Sequence, residues 1–172
     1  QVTLTPINDK EVGKFVFAID TKATNLYGPV EAYAYVVVDG KKELKDSHKL
    51  TIKANIVEDF SSLTIEQKQQ SPMLETKAVV DLGSIAAGKH LKGQIRVKNI
   101  GVNPLHIRRA YSADKQIMLK PCKAVKSSRT GVIQVDINTQ GRNPGKYSRE
   151  VVIISNDYEH SIQKVTLMWT VQ

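Results

Sequence analysis

Residues Gly131–Thr139 read GVIQVDINT, and Gly13–Thr21 read the similar GKFVFAIDT. Both stretches open on a glycine, place large apolar residues at every second position and close on an acidic or amide residue followed by threonine. An apolar residue at every second position predicts a β-strand with one buried face. Because the two stretches start 118 residues apart (131 − 13), we interpret them as two copies of one all-β fold.

The likeness continues after each stretch. Residues 26–40 read LYGPVEAYAYVVVDG and residues 143–157 read NPGKYSREVVIISND; the copies then close on LTIKANIV at 50–57 and VTLMWTV at 165–171. We therefore expect residues 14–57 and 132–171 to superpose in register. In that register Phe15, Phe17 and Ile19 occupy the inward positions of Ile133, Val135 and Ile137.

The first copy is shorter than the second. VTLTP at 2–6 aligns with IMLKP at 117–121, so residues 78–115 have no counterpart in the first copy. We interpret residues 1–58 as the back half of a domain, 59–77 as a connector and 78–172 as a complete domain. Half a sandwich leaves apolar side chains uncovered, so we expect cover from residues upstream of Gln1 or a homodimer through the incomplete first domain.

The complete domain reads as about seven short strands with turn signals between them. In the strand at 91–98, Leu91, Ile95 and Val97 alternate with basic residues, and the only tryptophan, Trp169, falls on the inward phase of the last strand. Such a pattern predicts an immunoglobulin-like β-sandwich. In the connector, Thr64 and Gln67 have capping-box spacing and predict a short helix from about Ile65 to Gln70.

The charge of the chain is concentrated in its second part. The net charge is +8; residues 1–77 carry ten lysines and eleven acidic residues, so residues 78–172 hold the whole excess. Basic domains often bind nucleic acid, but no aromatic residues alternate with these charges as a stacking platform would require. We therefore exclude a nucleic-acid partner and expect any anionic partner on the second domain.

Two groups of basic residues are candidates for an anion- or partner-binding surface. One group is Lys92, Arg96 and Lys98 on a single strand face, and the other is the loop group of Lys120, Lys123, Lys126 and Arg129. A protein partner or an envelope glycan would suit them. The alternative interpretation is a solvated surface whose lysines protect exposed strands from pairing with other chains.

No motif predicts catalysis, a metal site or a cofactor. Residues 141–146 (GRNPGK) resemble a phosphate-binding loop, but the glycines are one residue too close, Tyr147 replaces the required Ser or Thr, and turn chemistry explains the segment. The four histidines are scattered, and His106 is expected to point outward. Cys122 has no partner cysteine and is interpreted as an inert loop thiol.

Several motifs of the complete domain together carry a family resemblance. They are DLGSI at 81–85, Gly88, NIG at 99–101, PLHI at 104–107, the strand from Gly131, the turn at 141–146 and SND at 155–157. This set resembles a bacterial Hydin-like, major-sperm-protein-like immunoglobulin-fold domain of unknown function. The resemblance implies a sandwich fold and a place in the periplasm or at the cell surface of a Gram-negative bacterium.

One segment departs from that family. Its members often carry Cys-Gly-Cys after the PLxI strand, whereas this chain has Arg109–Asp114 (RAYSAD). A redox or metal role of such cysteines is therefore not transferable.

The sequence thus predicts a non-enzymatic envelope protein of tandem immunoglobulin-like domains, a spacer or partner-binding scaffold, with no apolar run long enough to span a membrane. The alternatives are a glycan- or anion-binding module and an accessory domain of a larger secreted enzyme.

Overall fold

The computed structural model describes residues 2–4, 15–18, 20–21, 26–38, 41–42 and 44–172. These residues form one helix of more than a single turn, α1 (Ile65–Gln69), and a short 3-10 helix at Asp46–His48. The strands of the first part are β1 (Val2–Leu4), β2 (Phe15–Phe17), β3 (Gly28–Tyr35), β4 (Val37–Val38), β5 (Lys41–Lys42) and β6 (Lys49–Ile56). The strands of the second part are β7 (Leu74–Thr76), β8 (Val79–Ile85), β9 (His90–Asn99), β10 (Ile107–Ser112), β11 (Ile117–Lys120), β12 (Thr130–Asn138), β13 (Gly145–Ser155) and β14 (Ile162–Val171).

The chain forms two compact units, residues 1–56 and residues 57–172. In the second unit two four-stranded sheets make the sandwich, with strand orders β10-β13-β14-β8 and β11-β12-β9-β7. Neighbouring strands are antiparallel except for β8, which runs parallel to β14. The seven strands β8–β14 within residues 78–172 confirm the predicted immunoglobulin-like sandwich.

The core of the second unit lies between the inner faces of these sheets. Alternation along each strand sends apolar residues inward, as predicted, and Trp169 packs stacked on Tyr147 with ring centroids 5.4 Å apart. The fully buried apolar side chains include Ile95, Val97, Leu105, Ile133, Ile137, Val151, Ile153, Val165, Leu167 and Trp169. Such burial contributes about 1.5–3 kcal/mol for each large side chain.

The described residues of the first unit form three antiparallel strand pairs, β1–β2, β3–β6 and β4–β5. Among its described side chains none of the apolar residues is fully buried, and most of those on β3 and β6 are half-buried. Val16 and Ala18 are exposed, in agreement with the predicted phase of β2. Of Phe15 and Phe17 only the backbone is described, and Ile19 lies outside the described residues, so their predicted core positions stay predictions.

The hairpins β3–β6 and β13–β14 share one register. Gly28 pairs with Ile56 in the first, and Gly145 pairs with Val171 in the second; the sequence alignment equates Gly28 with Gly145 and Ile56 with Val171. Both glycines have positive φ, 75° and 148°, a conformation that other residues rarely adopt. The predicted equivalence of these two hairpins is therefore confirmed at the level of strand pairing.

The pair β1–β2 deviates from the predicted register by two residues. The alignment equates Val2 with Ile117 and Phe17 with Val135, yet Val2 pairs with Phe17 whereas Ile117 pairs with Ile137. A shift of two residues keeps every side chain on its original face, because the side-chain period of a strand is two. The predicted alignment of this pair was therefore wrong in register, but it placed each side chain on the correct face of its strand.

The segment 57–73 is fixed on the second unit. Thr64 and Gln67 form the predicted capping box at the start of α1: the Gln67 N–H donates to Thr64 Oγ1 (3.2 Å), and the Thr64 N–H donates to Gln67 Oε1 (2.9 Å). Arg108 holds Glu58 through two hydrogen bonds of 2.9 and 2.6 Å. The predicted connector 59–77 thus includes α1 and also β7, an edge strand of the sandwich.

Among the described residues, no helix combines the length and the apolar character that crossing a membrane would require.

Candidate binding face

The outer face of the β11-β12-β9-β7 sheet, called the basic face below, carries the first group of predicted residues. On β9, Lys92, Arg96 and Lys98 are exposed, while Ile95 and Val97 between them are completely buried. The pleat of the strand produces this separation, because successive side chains point to opposite sides. The sequence prediction of one shared basic strand face is confirmed for these three residues.

Strand pairing brings Lys120 to the same face. Lys120 on β11 pairs with Gln134 on β12, which in turn pairs with Gln94 on β9. In the next row Met118 pairs with Asp136, which pairs with Lys92. Four of the seven predicted residues, Lys92, Arg96, Lys98 and Lys120, therefore project from one sheet face.

The remaining three predicted residues, Lys123, Lys126 and Arg129, are exposed in the loop between β11 and β12. That loop is anchored by Val125, which is buried and forms a bridge with Leu105. The Asn99 N–H donates to the Arg129 carbonyl oxygen (3.0 Å), so the Arg129 backbone lies at the end of β9. The loop cations extend the basic area beyond the sheet but do not lie on the strand face.

Two acidic residues, Asp136 and Glu75, lower the net positive charge of the basic face. Neither was among the residues predicted from the sequence. His90 Nδ1 lies 2.7 Å from Asp136 Oδ1, and Lys98 Nζ lies 3.7 Å from Glu75 Oε2. Both contacts join strands that are adjacent only in the folded sheet. The face therefore presents Lys92, Arg96 and Lys120 without an ion-pair partner among those found in the described part of the chain.

A shallow depression of about 280 Å³ lies on the basic face between β11 and β9. Its lining includes the polar residues Lys92, Lys120, Gln134 and Asp136. Met118, which is 70% exposed, also lines it. Met118 is not among the residues predicted from the sequence, although the alternation of Ile117–Lys120 places it on the same side as Lys120. The depression combines an apolar side chain with two lysines, so it suits a ligand that is both apolar and acidic.

The polar residues of the family-like motifs hold the fold together. Asn99 is fully buried; its Oδ1 accepts the Gly101 N–H (3.0 Å), and its Nδ2 donates to the Val125 carbonyl oxygen (3.0 Å). Asp157 is buried as well, and its Oδ2 accepts the Leu74 N–H at 2.8 Å. Buried polar groups must be hydrogen-bonded to be tolerated, and these residues satisfy backbone groups at the loop ends of the sheets. Their role is structural.

Asp114, between β10 and β11, contacts one arginine in the β12–β13 connection and one on β13. Its Oδ2 accepts hydrogen bonds from Arg142 Nη2 (2.6 Å) and Arg149 Nε (3.1 Å). Burial alone would raise the pKa of Asp114. Hydrogen bonds from the Arg142 side chain, the Gln116 backbone and the Arg149 side chain, together with the positive charge of Arg142, outweigh burial and lower that pKa. Asp114 therefore links the β10–β11 connection to the β12–β13 connection and to β13 through an ion-pair network.

Within the described ranges of the chain, no set of three or more His, Cys, Asp or Glu side chains could hold a metal ion. Residues 141–144 lie in the connection between β12 and β13, as predicted for the turn segment 141–146, whose last two residues begin β13. His106 is exposed. Cys122 is half-buried and packs against the core.

This chain is similar to several solved structures at low sequence identity. A protein of unknown function from Porphyromonas gingivalis W83 matches with a TM-score of 0.65 at 16% identity, covering 98% of this chain and 79% of that one. The ASH/PapD-like domain of human CEP192 (TM-score 0.42, 10% identity) covers 69% of this chain and 95% of its own. The Vibrio cholerae VesB protease (TM-score 0.41, 12% identity) matches over 58% of this chain and 31% of its own. At 16% identity the first likeness supports the fold alone.

Sequence comparison identifies the family. No curated protein matches the chain at a significant level. The model of the HYDIN/CFA65/VesB-like Ig-like domain, however, matches residues 72–168, which is more than half of the chain. That range contains strands β7 to β13 and most of β14, and it includes the buried Asn99 and Asp157. The chain therefore belongs to the family of HYDIN/CFA65/VesB-like Ig-like domains.

Proposed function

We propose that this protein is a non-catalytic part of a bacterial envelope protein, in which tandem immunoglobulin-like domains act as a spacer or a partner-binding scaffold. The observation that carries this proposal is the shared register of the hairpins β3–β6 and β13–β14. Two hairpins with equivalent pairing, separated by about the length of one domain, favour repetition of a single structural unit. Repeated sandwiches without catalytic groups are typical of spacers and scaffolds.

The contacts of segment 57–73 support the same proposal. Besides the Glu58–Arg108 pair, Phe60 packs edge-on against Tyr158 with ring centroids 5.9 Å apart, and the Asn103 N–H donates to the Gln70 carbonyl oxygen (3.0 Å). A segment held by an ion pair, a ring contact and backbone hydrogen bonds fixes the direction in which the chain enters the sandwich. Such a defined entry suits a spacer.

The experiment that tests the spacer role is a domain replacement in the gene of the parent protein. Residues 1–172 are exchanged for an unrelated pair of immunoglobulin-like domains of similar length. A pure spacer keeps its function after the exchange, whereas a scaffold with a specific partner loses it. Loss of function that single substitutions on the basic face reproduce would assign the role to partner binding.

The proposed compartment is the periplasm or the surface of a Gram-negative bacterium, and it rests on the family resemblance. Fractionation of the native host with an antibody to this chain tests it. We expect the signal in the envelope, and in intact cells we expect cleavage by added protease only if the protein is surface-exposed. Recovery in the cytosol would contradict the proposal.

A second candidate is an accessory domain of a larger secreted enzyme. The family description includes VesB, and the Vibrio cholerae protein of that name is a protease. Sequencing of the parent gene discriminates between the candidates: an adjoining catalytic domain, whose turnover falls when residues 1–172 are removed, would favour the accessory role.

A further inference from the structure

The basic face has a regular spacing of outward side chains. On β9 and β12 the outward residues are the even-numbered ones from 90 to 98 and from 130 to 138, and on β11 they are Met118 and Lys120. Along a strand, outward side chains are about 6.5–7 Å apart, and neighbouring strands are about 4.8 Å apart. An extended polypeptide has the same side-chain period, so its alternate residues can meet successive outward residues of the face.

The composition of the face favours a protein partner over a glycan. None of the outward residues on β9, β11 and β12 is Phe, Tyr or Trp, so the face lacks a flat ring on which a sugar could stack. Met118 is instead a flexible apolar side chain, of the kind found at adaptable protein-binding surfaces. It lines the depression described above together with Lys92, Lys120 and Asp136, and Asp136 stands between Met118 and Lys92 across the sheet. Charge complementarity with these lysines requires acidic residues in the partner.

We propose that the basic face binds an extended, acidic segment of a partner protein that also carries apolar side chains. In this arrangement Met118 contacts an apolar residue, and Lys92, Arg96 and Lys120 contact carboxylates. Such charge pairs are exposed and contribute little individually, so affinity depends on several of them acting together with the apolar contact. The inference rests on the partner-binding part of the proposed function.

Purified full chain and two fluorescent peptides of equal length test the proposal by anisotropy: poly-L-glutamate, and a glutamate peptide with interspersed leucines. We expect both to bind at low salt and weaken as salt rises, because charges are screened over about 8 Å at physiological ionic strength. We expect the leucine-containing peptide to bind more tightly. Met118→Ser is expected to remove that advantage and leave poly-L-glutamate binding unchanged.

The charge contribution is tested with matched double variants. Lys92→Glu with Arg96→Glu is expected to weaken peptide binding about tenfold or more, which corresponds to about 1.4 kcal/mol. Lys146→Glu with Lys164→Glu changes the net charge equally on the other sheet, so we expect a change of less than about threefold. Unfolding followed by Trp169 fluorescence checks that each variant is folded. If the first variant does not fold, Lys92→Ser with Arg96→Ser replaces it.

Three outcomes would overturn the inference. Absence of peptide binding at low salt would show that the basic face is only a solvated surface. Equal weakening by the two double variants would show non-specific attraction to the net charge. Tighter binding of a heparin oligosaccharide than of either peptide, insensitive to Met118→Ser, would assign the face to acidic glycans. Because these measurements use purified protein, they are independent of the spacer role and of the compartment.

Discussion

The hairpins β3–β6 and β13–β14 have the same strand pairing but very different burial. In β13–β14, Val165, Leu167 and Val171 are buried beneath the opposite sheet. The positions paired equivalently in β3–β6 are Leu50, Ile52 and Ile56, and these are only half-buried. Comparing the two hairpins therefore separates strand register from side-chain burial, which usually occur together. Register follows from alternation and from the glycine that begins each hairpin, whereas burial requires a facing sheet.

The comparison extends to the largest core side chain. Trp169 pairs with Tyr147 in the second hairpin, and the equivalent pair in the first is Ala54 with Val30. An alanine at this place fills much less volume than a tryptophan, and Ala54 is exposed. The first hairpin thus keeps the pairing of the fold without its central packing, which predicts a large difference in what equivalent substitutions cost.

The largest expected difference is between Leu167→Ala and Ile52→Ala, which alter equivalent positions. Leu167 is completely buried, so its truncation is expected to cost about 2–5 kcal/mol through lost burial and a cavity. Ile52 is half-buried, so its truncation to alanine is expected to cost less than about 1.5 kcal/mol. The cost of Leu167→Ala is measured by denaturant unfolding followed by Trp169 fluorescence, which reports on the second unit. The cost of Ile52→Ala is measured by unfolding followed by circular dichroism. Similar costs would contradict the comparison.

The Asp114 network reaches the second hairpin through Arg149, whose equivalent position in the first hairpin is occupied by Ala32. Asp114→Asn is expected to cost about 2–3 kcal/mol, since it leaves the buried guanidinium of Arg142, whose side chain is 7% exposed, without its carboxylate. Glu150→Gln, which alters an exposed pair with Lys164, is the matched control and is expected to cost less than about 1 kcal/mol.

The same variant predicts a pH dependence. The folded pKa of Asp114 lies below its ordinary value of 3.8, so the carboxylate stabilises the fold above that value, and this contribution is lost as the pH falls through the folded pKa. The wild type should therefore lose more stability than Asp114→Asn on acidification below about pH 4. Equal acid sensitivity of the two proteins, measured by urea unfolding at several pH values, would show that Asp114 is not the responsible group.

An intermediate effect is expected at the contact between segment 57–73 and the sandwich. A Cβ at Gly101 would collide with backbone atoms of Ser71, Pro72 and Met73, which cannot rotate away. Gly101→Ala is therefore expected to cost about 1–3 kcal/mol. It should also accelerate amide exchange at Val102 and Asn103, which donate to the carbonyl oxygens of Ser71 and Gln70. Unchanged exchange at these amides would refute the proposed fixation of the segment.

The smallest effect concerns the capping box of α1. Thr64→Ala removes the acceptor for the Gln67 N–H and is expected to cost about 1 kcal/mol, confined to the helix. Amide exchange near residue 67 should accelerate while that of β13–β14 stays unchanged. Thr64→Ser retains the hydroxyl and should behave as the wild type.

Local pattern predicted much of this fold. The period-two alternation placed Ile95 and Val97 inside and Lys92 and Arg96 outside, and the spacing of Thr64 and Gln67 gave α1. The equivalence of Gly28 with Gly145 and of Ile56 with Val171 followed from the alignment of the two copies. In each case the information lies within one strand, one turn or one aligned pair.

The parts that were missed depend on contacts between distant segments. Met118 and Asp136 join the basic face only because β11, β12 and β9 pair in one order, and Glu75 reaches Lys98 only because β7 adds to the sheet edge. The Arg142–Asp114 contact joins residues 28 apart in sequence. Alternation shows which side of a strand a residue occupies, but not which strand lies next to it.

Residue-resolved hydrogen exchange of the full chain tests the central claim, that equal register conceals unequal stabilisation. Amides of β13 and β14 should exchange only through global opening of the second unit, because their hydrogen bonds lie beneath a packed core. Amides at the equivalent positions of β3 and β6 should exchange faster by about a hundredfold or more, since opening that hairpin uncovers little buried surface. Equal protection of the two hairpins would contradict the account and show that the first unit is covered as completely as the second.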